Sequence, residues 1–405
     1  MFSLFKKSDE EIAVIFDVGN GSIGGSLVKF TAHGIPLVLY THREPIFISE
    51  KVSSKRLLEN MLKQLKAVSA HIHKEGFSHL HHSLLGQVRI KEVFCVFSSP
   101  WYVSQTKVIK VSRDKAFTIT PGFIDNLIKK EEEILDLDLK EGKYEKVFGA
   151  NVRLLERKII HTKLNGYEVH EVMGKQIREL EVTFFLSFIS EDIIGQVESL
   201  LHTEFSFRSV KFFSYALSSW NAITNMFPDS EHFLFADITG EVTDITLTTH
   251  GVLLETLSFP LGRSFIVRKV MESLSVPSEV AISFISMHVN HSAEESFGDK
   301  METILREASE SWFTALKTAL EDLAKKYSLP KQFFITVDPD VASLFQTTLA
   351  QPLSIGLTAT PTTFDVMIMD ETRIKPFVEL APKVAFDPFL LLESIFLNKI
   401  VTIKR

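Results

Sequence analysis

VIFDVGNGSIGGSLVKF, residues Val14 to Phe30, places Gly19-x-Gly21-x-x-Gly24 directly behind an apolar run that ends in Asp17. Three glycines at that spacing are the mark of a dinucleotide-binding loop, which has to open a helix whose N-terminal amides hold a pyrophosphate. No helix pattern follows here. Ser26 to Phe30 continues as an alternating segment, Ala32-His33-Gly34 reads as a turn, and Ile35 to Tyr40 is extended again. That is an antiparallel hairpin and not a crossover. The first helical periodicity comes at Ser54 to Lys74, where Leu57, Leu58, Met61, Leu62, Leu65 and Val68 recur at helical spacing.

The same order returns later in FLFADITGEVTDITLTTHGVLLETLSFPLG. Phe233 to Ala236 is an apolar run ending in Asp237, Gly240 sits in a turn, and Asp244 to Thr248 alternates. His250-Gly251 turns the chain, and Val252 to Phe259 is extended before a helix around Phe265 to Leu274. Two diverged copies of one unit imply two similar lobes facing each other across a cleft. Each lobe would bring one carboxylate and one hairpin of backbone amides. Two amide-lined turns can grip a polyphosphate from opposite sides, and the carboxylates can hold its hydrated Mg²⁺.

Asp17, Gly19, Asn20, Gly21 and Ser22 resemble the first phosphate motif of the actin-like ATPase superfamily, and Asp237, Gly240, Thr243 and Asp244 resemble part of its second. The segment SFPLGRSFIVRKVMESL, with Gly262, is similar to the family's FPIGG-type stretch ahead of a helix. Between the two hairpins, Pro121 to Leu135 reads as a helix set among strands, with turns at Asn165-Gly166 and Gly174. This looks like the strand-helix-strand-strand (SHS2-type) module that FtsA and PilM insert into their first lobe. The resemblance runs from Glu11 to about Lys399. The MFSLFKK start, and an end soon after Asp387 to Glu393 without an amphipathic anchor, lean toward the pilus-assembly branch over cell division.

Several positions depart from the family pattern. Thr239, Glu241 and Val242 stand where the second motif has Gly, Gly and Thr. A Glu241 carboxylate about 5 Å from a phosphate charge would cost roughly 3 kcal/mol at an effective dielectric near 20, unless the hairpin aims it outward. The expected adenosine-binding turn after Gln332 to Val337 reads Val337-Asp338-Pro339-Asp340, where proline removes a backbone donor. The strand expected to position a water reads Phe97-Ser98-Ser99-Pro100, and Gln105 lies too far along, so no general base is evident. At most a weak ATPase is expected, with a non-catalytic scaffold favoured and the catalytic residues unknown. The capping subdomain of the second lobe, Val276 to Lys300, is short.

Composition bounds the rest. With 405 residues, 45% hydrophobic and 23% charged, the chain can bury a large core. No apolar run approaches the roughly 18 to 20 residues of a membrane span, and the N-terminus lacks the apolar region of a secretory signal, so a cytoplasmic location is expected. A formal charge of −7 gives no general attraction for nucleic acid. The single cysteine, Cys95, lies in a strand-like apolar run and reads as core. Val182 to Ser190 reads as a buried strand. His71, His73, His79, His81 and His82 read as exposed imidazoles, Lys129 to Lys146 as a solvated helix face and loop, and Phe2, Leu4 and Phe5 beside Lys6 and Lys7 as a frayed terminus.

The expectation is therefore a two-lobed, actin-like α/β protein of duplicated RNase H-like lobes. Residues 9–98 and 186–225 form the first lobe, 99–185 the inserted module, 226–340 the second lobe, and 341–405 return to the first. By resemblance, ATP would lie against Asp17, Gly19, Asn20, Gly21, Ser22, Asp237, Thr239, Gly240, Thr243 and Gly262, with Mg²⁺ held through water by Asp17 and Asp237. The implied role is a scaffold that docks a short cytoplasmic segment of an inner-membrane partner in type IV pilus assembly, itself peripheral at that membrane and compatible with a homo-oligomer. The alternatives are an FtsA-like division scaffold recruiting a tubulin-like protein, a nucleotide-free pseudo-ATPase, and a sugar-kinase-like enzyme, which would lack the inserted module.

Overall fold

The computed structural model describes residues 12–31, 34–48, 53–78, 90, 92–140, 151–169, 171–205, 207–290, 295–353 and 363–403. Its first sheet begins with β1 (Ile12–Val18), β2 (Ser22–Lys29) and β3 (Leu37–Pro45). Helix α1 (Ser54–His71), ending in a π-turn over Ile72–Gly76, leads to β4 (Glu92–Phe97). All seven residues of β1 are buried, as befits a strand covered on both faces.

The inserted module follows as β5 (Tyr102–Thr118), α2 (Pro121–Lys140), β6 (Val152–Leu164), β7 (Tyr167–Glu168) and β8 (Gln176–Ser190). Its sheet has the order β5-β8-β6-β7, with a separate apolar core around Ile119, Ile124, Leu180 and Phe184. Strand β8 runs unbroken to Ser190, and every residue from Val182 to Ser190 is buried. The chain re-enters the first lobe through α3 (Glu191–Glu204), β9 (Ser209–Ser214) and α4 (Tyr215–Met226).

The second lobe repeats the pattern in β10 (Phe233–Ile238), β11 (Thr243–Thr249) and β12 (Val252–Phe259). Helices α5 (Arg263–Leu274), α6 (Ser278–Val289) and α7 (Glu295–Ala324) precede β13 (Gln332–Val337), α8 (Ala342–Leu349) and β14 (Asp365–Ile368). The buried stripe Leu305, Ala308, Trp312, Leu316, Leu320 and Leu323 fixes α7 on its sheet. Between α5 and β13 the described residues contain only helices. After α9 (Glu371–Ile374), β15 (Glu379–Leu380) pairs with β3, and α10 (Pro388–Ile403) packs on α4, β1 and β2. The return to the first lobe thus comes after β14, which pairs in parallel with β13 inside the stretch 341–405.

The duplication is explicit in the topology. The first sheet has the order β15-β3-β2-β1-β4-β9 and the second β12-β11-β10-β13-β14. In each, three antiparallel strands are followed by two parallel ones. Asp17 sits across from Gly24 on β2 and Val96 on β4, while Asp237 sits across from Asp244 on β11 and Thr336 on β13. The lobes share apolar contacts, with the Phe227 and Phe334 rings stacked at 5.0 Å. The module joins them as well, where the Thr106 hydroxyl donates to the Leu253 carbonyl at 3.4 Å. Cys95 is fully buried, and burial pushes its thiol up.

Candidate functional site

The two hairpin tips meet, as two facing lobes require, and they meet in direct contact. A methyl group built on Gly21 would lie 2.7 Å from the Gly240 Cα, and one built on Gly240 would lie 2.4 Å from the Gly21 Cα. The Asn20 side chain, 1% exposed, spans the junction. Its Nδ2 donates to the Thr239 hydroxyl at 2.8 Å and to the Ser99 carbonyl, and its Oδ1 accepts from the backbone N–H of Glu241. Behind it, Trp101 Nε1 donates to the Gly19 carbonyl at 2.9 Å and steadies the first tip.

Asp17 is buried at the end of β1 and already has a cation. Arg43 Nη2 lies 2.7 Å from its Oδ2. The same guanidinium donates through Nε and Nη2 to both oxygens of Asp387, at 2.7 and 2.9 Å, and through Nη1 to the Ser22 hydroxyl at 2.8 Å. Gly24, directly across from both Asp17 and Arg43, makes the room: a Cβ there would fall 2.7 Å from Arg43 Nη2. Burial pushes the Asp17 carboxyl up to about 6, with Arg43 pulling the other way. Asp387 also caps α10, its Oδ1 accepting from the Leu390 N–H.

In the second hairpin Asp237 accepts a hydrogen bond from the Thr336 hydroxyl at 3.2 Å. Burial, reinforced by Asp244 and Asp17, raises its carboxyl well above the ordinary range. Thr243 does not face the cleft. Its hydroxyl donates to the Leu261 carbonyl and accepts from Trp312 Nε1, because on a strand it points to the face opposite Asp244. Glu241 is turned away from the tip by a bidentate pair with Arg268 at 2.9 and 2.7 Å, so its charge is met by protein. Gly262, the N-cap of α5, packs on the hairpin: the next two amides, Arg263 and Ser264, donate to the Thr239 and Gly240 carbonyls at 2.8 and 2.7 Å.

The turn after β13 is filled in the same way. Arg263 binds Asp340 with Nε 3.1 Å from Oδ1 and lies 3.4 Å from Asp338. Gln105 stands on β5, within the module sheet. Ser99 is engaged with Asn20 and Asp244. A phosphate gripped from both sides needs each backbone donor about 3 Å from its oxygens, so the tips must stand well apart. Here they touch, Arg43 already occupies the Asp17 carboxylate expected to hold a metal, and Arg263 occupies the turn expected to take a nucleoside. These residues do not fit Mg·ATP. Asp17 Oδ1, Asp237 Oδ2 and both Glu393 oxygens are buried without a hydrogen-bond partner, yet among the described residues none of them belongs to a cluster of three ligand atoms within 4.8 Å.

The histidine run falls in part within the described residues. His71 stacks on His42 at 3.9 Å with ring planes 24° apart, both beside Glu44 Oε1, and the three ligand atoms lie within 4.8 Å of one another. Lone pairs in two nearly parallel planes do not converge at about 2.1 Å on one ion, so the cluster reads as two stacked imidazoles, of which His42 is hydrogen-bonded to Glu44. His73 stacks on Phe205. His79, His81 and His82 lie outside the described residues, as do Phe2, Leu4 and Phe5.

Sequence reasoning missed Arg43, Asp387, Arg263 and Arg268. Their partners lie 344 residues away for Arg43–Asp387, 77 for Arg263–Asp340 and 27 for Arg268–Glu241. The one available signal was a lone arginine in the strand LVLYTHREP, opposite a glycine pair.

No protein-family model matches the chain, and no curated protein matches it in sequence. Among solved structures it is similar to the "PilM-PilN type IV pilus biogenesis complex", with a TM-score of 0.60 at 13% identity over 97% of this chain and 98% of that one. It also aligns with the ethanolamine utilization protein EutJ from Carboxydothermus hydrogenoformans (11% identity, 95% and 88% covered, TM-score 0.43). A third match is a Bacteroides thetaiotaomicron protein with an actin-like ATPase fold (10% identity, 97% and 99% covered, TM-score 0.40). The last two scores are too low to add to the assignment. The chain has the two-lobed actin-like fold of the PilM type.

Proposed function

We propose that the chain is a cytoplasmic scaffold that docks a short segment of an inner-membrane partner in type IV pilus assembly. The observation that carries this reading is the likeness to the PilM-PilN complex over nearly the full length of both chains, inserted module included. A groove of about 750 Å³ where α1, the module junction and the second hairpin meet supports it. Leu57, Leu58, Trp101, Ile193, Val242 and Pro260 give it an apolar lining, with Lys55 and Asp192 among its charged residues. An extended segment with two or three aliphatic side chains and a polar backbone matches that lining. No helix among the described residues is long and apolar enough to cross a membrane, so attachment would run through the partner.

The test uses labelled synthetic peptides covering the cytoplasmic tails of the source cell's single-pass pilus-assembly proteins, titrated by fluorescence anisotropy. One tail is expected to bind saturably, to lose affinity about tenfold or more with Leu58→Glu, and to be unaffected by Val108→Glu on the exposed module surface. Failure of every tail to bind would overturn the docking reading.

A further inference from the structure

We infer that this chain carries its own closure in place of nucleotide: the Asn20 amide joins the hairpin tips where a phosphate would lie, the Arg43 guanidinium serves Asp17 where a metal would, and the seam takes no Mg·ATP. This stands apart from the docking reading and does not depend on any partner.

Three independent contacts lead to it. The first is steric, since the Gly21 and Gly240 backbones touch and leave no layer for a phosphate. The second is chemical mimicry at the tip. A phosphate between two hairpins accepts hydrogen bonds from both; Asn20 instead belongs to the first tip, accepts from the Glu241 N–H of the second, and donates to Thr239 Oγ1 and the Ser99 carbonyl. An amide has both a donor and an acceptor, so it satisfies carbonyls that a phosphate would repel. The third is charge. Arg43 reaches Asp17, Asp387 and Ser22 with one planar fork, a geometry that a hydrated ion does not need and a guanidinium does.

The second lobe shows the same substitution of protein for ligand. Carbonyls of Thr239 and Gly240 receive the first amides of α5, and Asp338 and Asp340 receive Arg263. Lobe closure, which a bound nucleotide would otherwise supply as a population shift, is then a property of the folded chain.

The experiment uses the full chain. Mg·ATP, Mg·ADP and Mg²⁺ alone are titrated by calorimetry, and amide hydrogen exchange is read over 19–22 and 239–242 with and without them. Expected are no saturable heat, slow exchange at both tips, and no change on adding nucleotide or metal. Asn20→Asp keeps the acceptor and removes both donors, so tip exchange should quicken about tenfold or more while the strand cores stay protected. Thr239→Val, which removes the acceptor of the Asn20 amide together with the hydroxyl's own bond to the Val242 carbonyl, should act in the same direction, at 19–22 as well as at 239–242, and covers the case in which Asn20→Asp fails to fold. Saturable, Mg²⁺-dependent nucleotide binding by the parent protein would overturn the inference. So would binding of Mg²⁺ alone that Glu393→Gln abolishes, which would give the unpartnered carboxylate oxygens to a cation, and so would unchanged tip exchange in both variants.

Discussion

Gly21 and Gly240 lie on hairpins from different lobes, and their Cα atoms are close enough that neither residue has room for a methyl group. Both approaches are to backbone, which cannot swing aside as a flexible side chain would. Gly21→Ala and Gly240→Ala should each cost about 1–3 kcal/mol, the usual range for overpacking. The double variant should cost less than the sum, because the first methyl already parts the tips. Urea denaturation of the four proteins measures this, and strict additivity would mean that the two glycines do not share one contact.

Arg43 is the hub of the first lobe's polar interior. Arg43→Met keeps most of its length and leaves Asp17 and Asp387 buried without their cation. The expected loss is about 3–5 kcal/mol, as for breaking any buried pair by removing one partner. Asp387→Asn should cost less, since Arg43 retains Asp17 and Ser22. Thermal unfolding at neutral pH orders the two, and an equal or reversed order would remove Arg43 from the centre of this cluster.

The fold was legible because its grammar is local and repeated. Each copy shows an apolar strand ending in aspartate, a glycine turn and two alternating strands, and alternation with turn chemistry is what a sequence displays most directly. Asn20 was legible as a tip residue but not as a bridge, because the same spacing serves a tip that binds phosphate and a tip that binds its twin. Arg43, by contrast, reads in sequence as one charged residue in a half-buried strand. Its meaning comes from Asp387, which only the path of the C-terminal segment brings alongside. The Glu241 repulsion expected near a phosphate is absent for a similar reason: Arg268, on the helix after the hairpin, faces it across the turn.

That pair gives a third prediction. Glu241 and Arg268 side chains are each 14% exposed, and the bond is bidentate. Arg268→Met should cost about 2–4 kcal/mol by leaving a carboxylate with little water around it, and Glu241→Gln in the same chain should recover a large part of that loss. The coupling free energy from the double-mutant cycle is the readout. A value near zero would mean that the pair is an ordinary surface contact.

Glu156 gives the pH prediction, at a site away from the cleft. Its Oε1 accepts from the Ser214 N–H at 2.9 Å, from the Ser214 hydroxyl and from the Ser187 hydroxyl at 3.1 Å, tying β6 of the module to the start of α4. Its Oε2 is buried without a partner beside a cavity of about 120 Å³. Burial pushes the carboxyl up to about 7 from 4.5. Over that interval the folded chain holds a proton that the unfolded chain has released, so unfolding gives up a proton and stability falls as pH rises from about 4.5 to about 7. The carboxylate is buried while the residue as a whole is only partly so, and the total is about 1–3 kcal/mol, below the full value for such a shift. Glu156→Gln keeps the acceptor oxygen and removes the titration. It should match the parent near pH 4, exceed it in stability near pH 8, and flatten the slope between; urea midpoints across that range measure this, and parallel slopes in parent and variant would show that Glu156 is not the group that titrates.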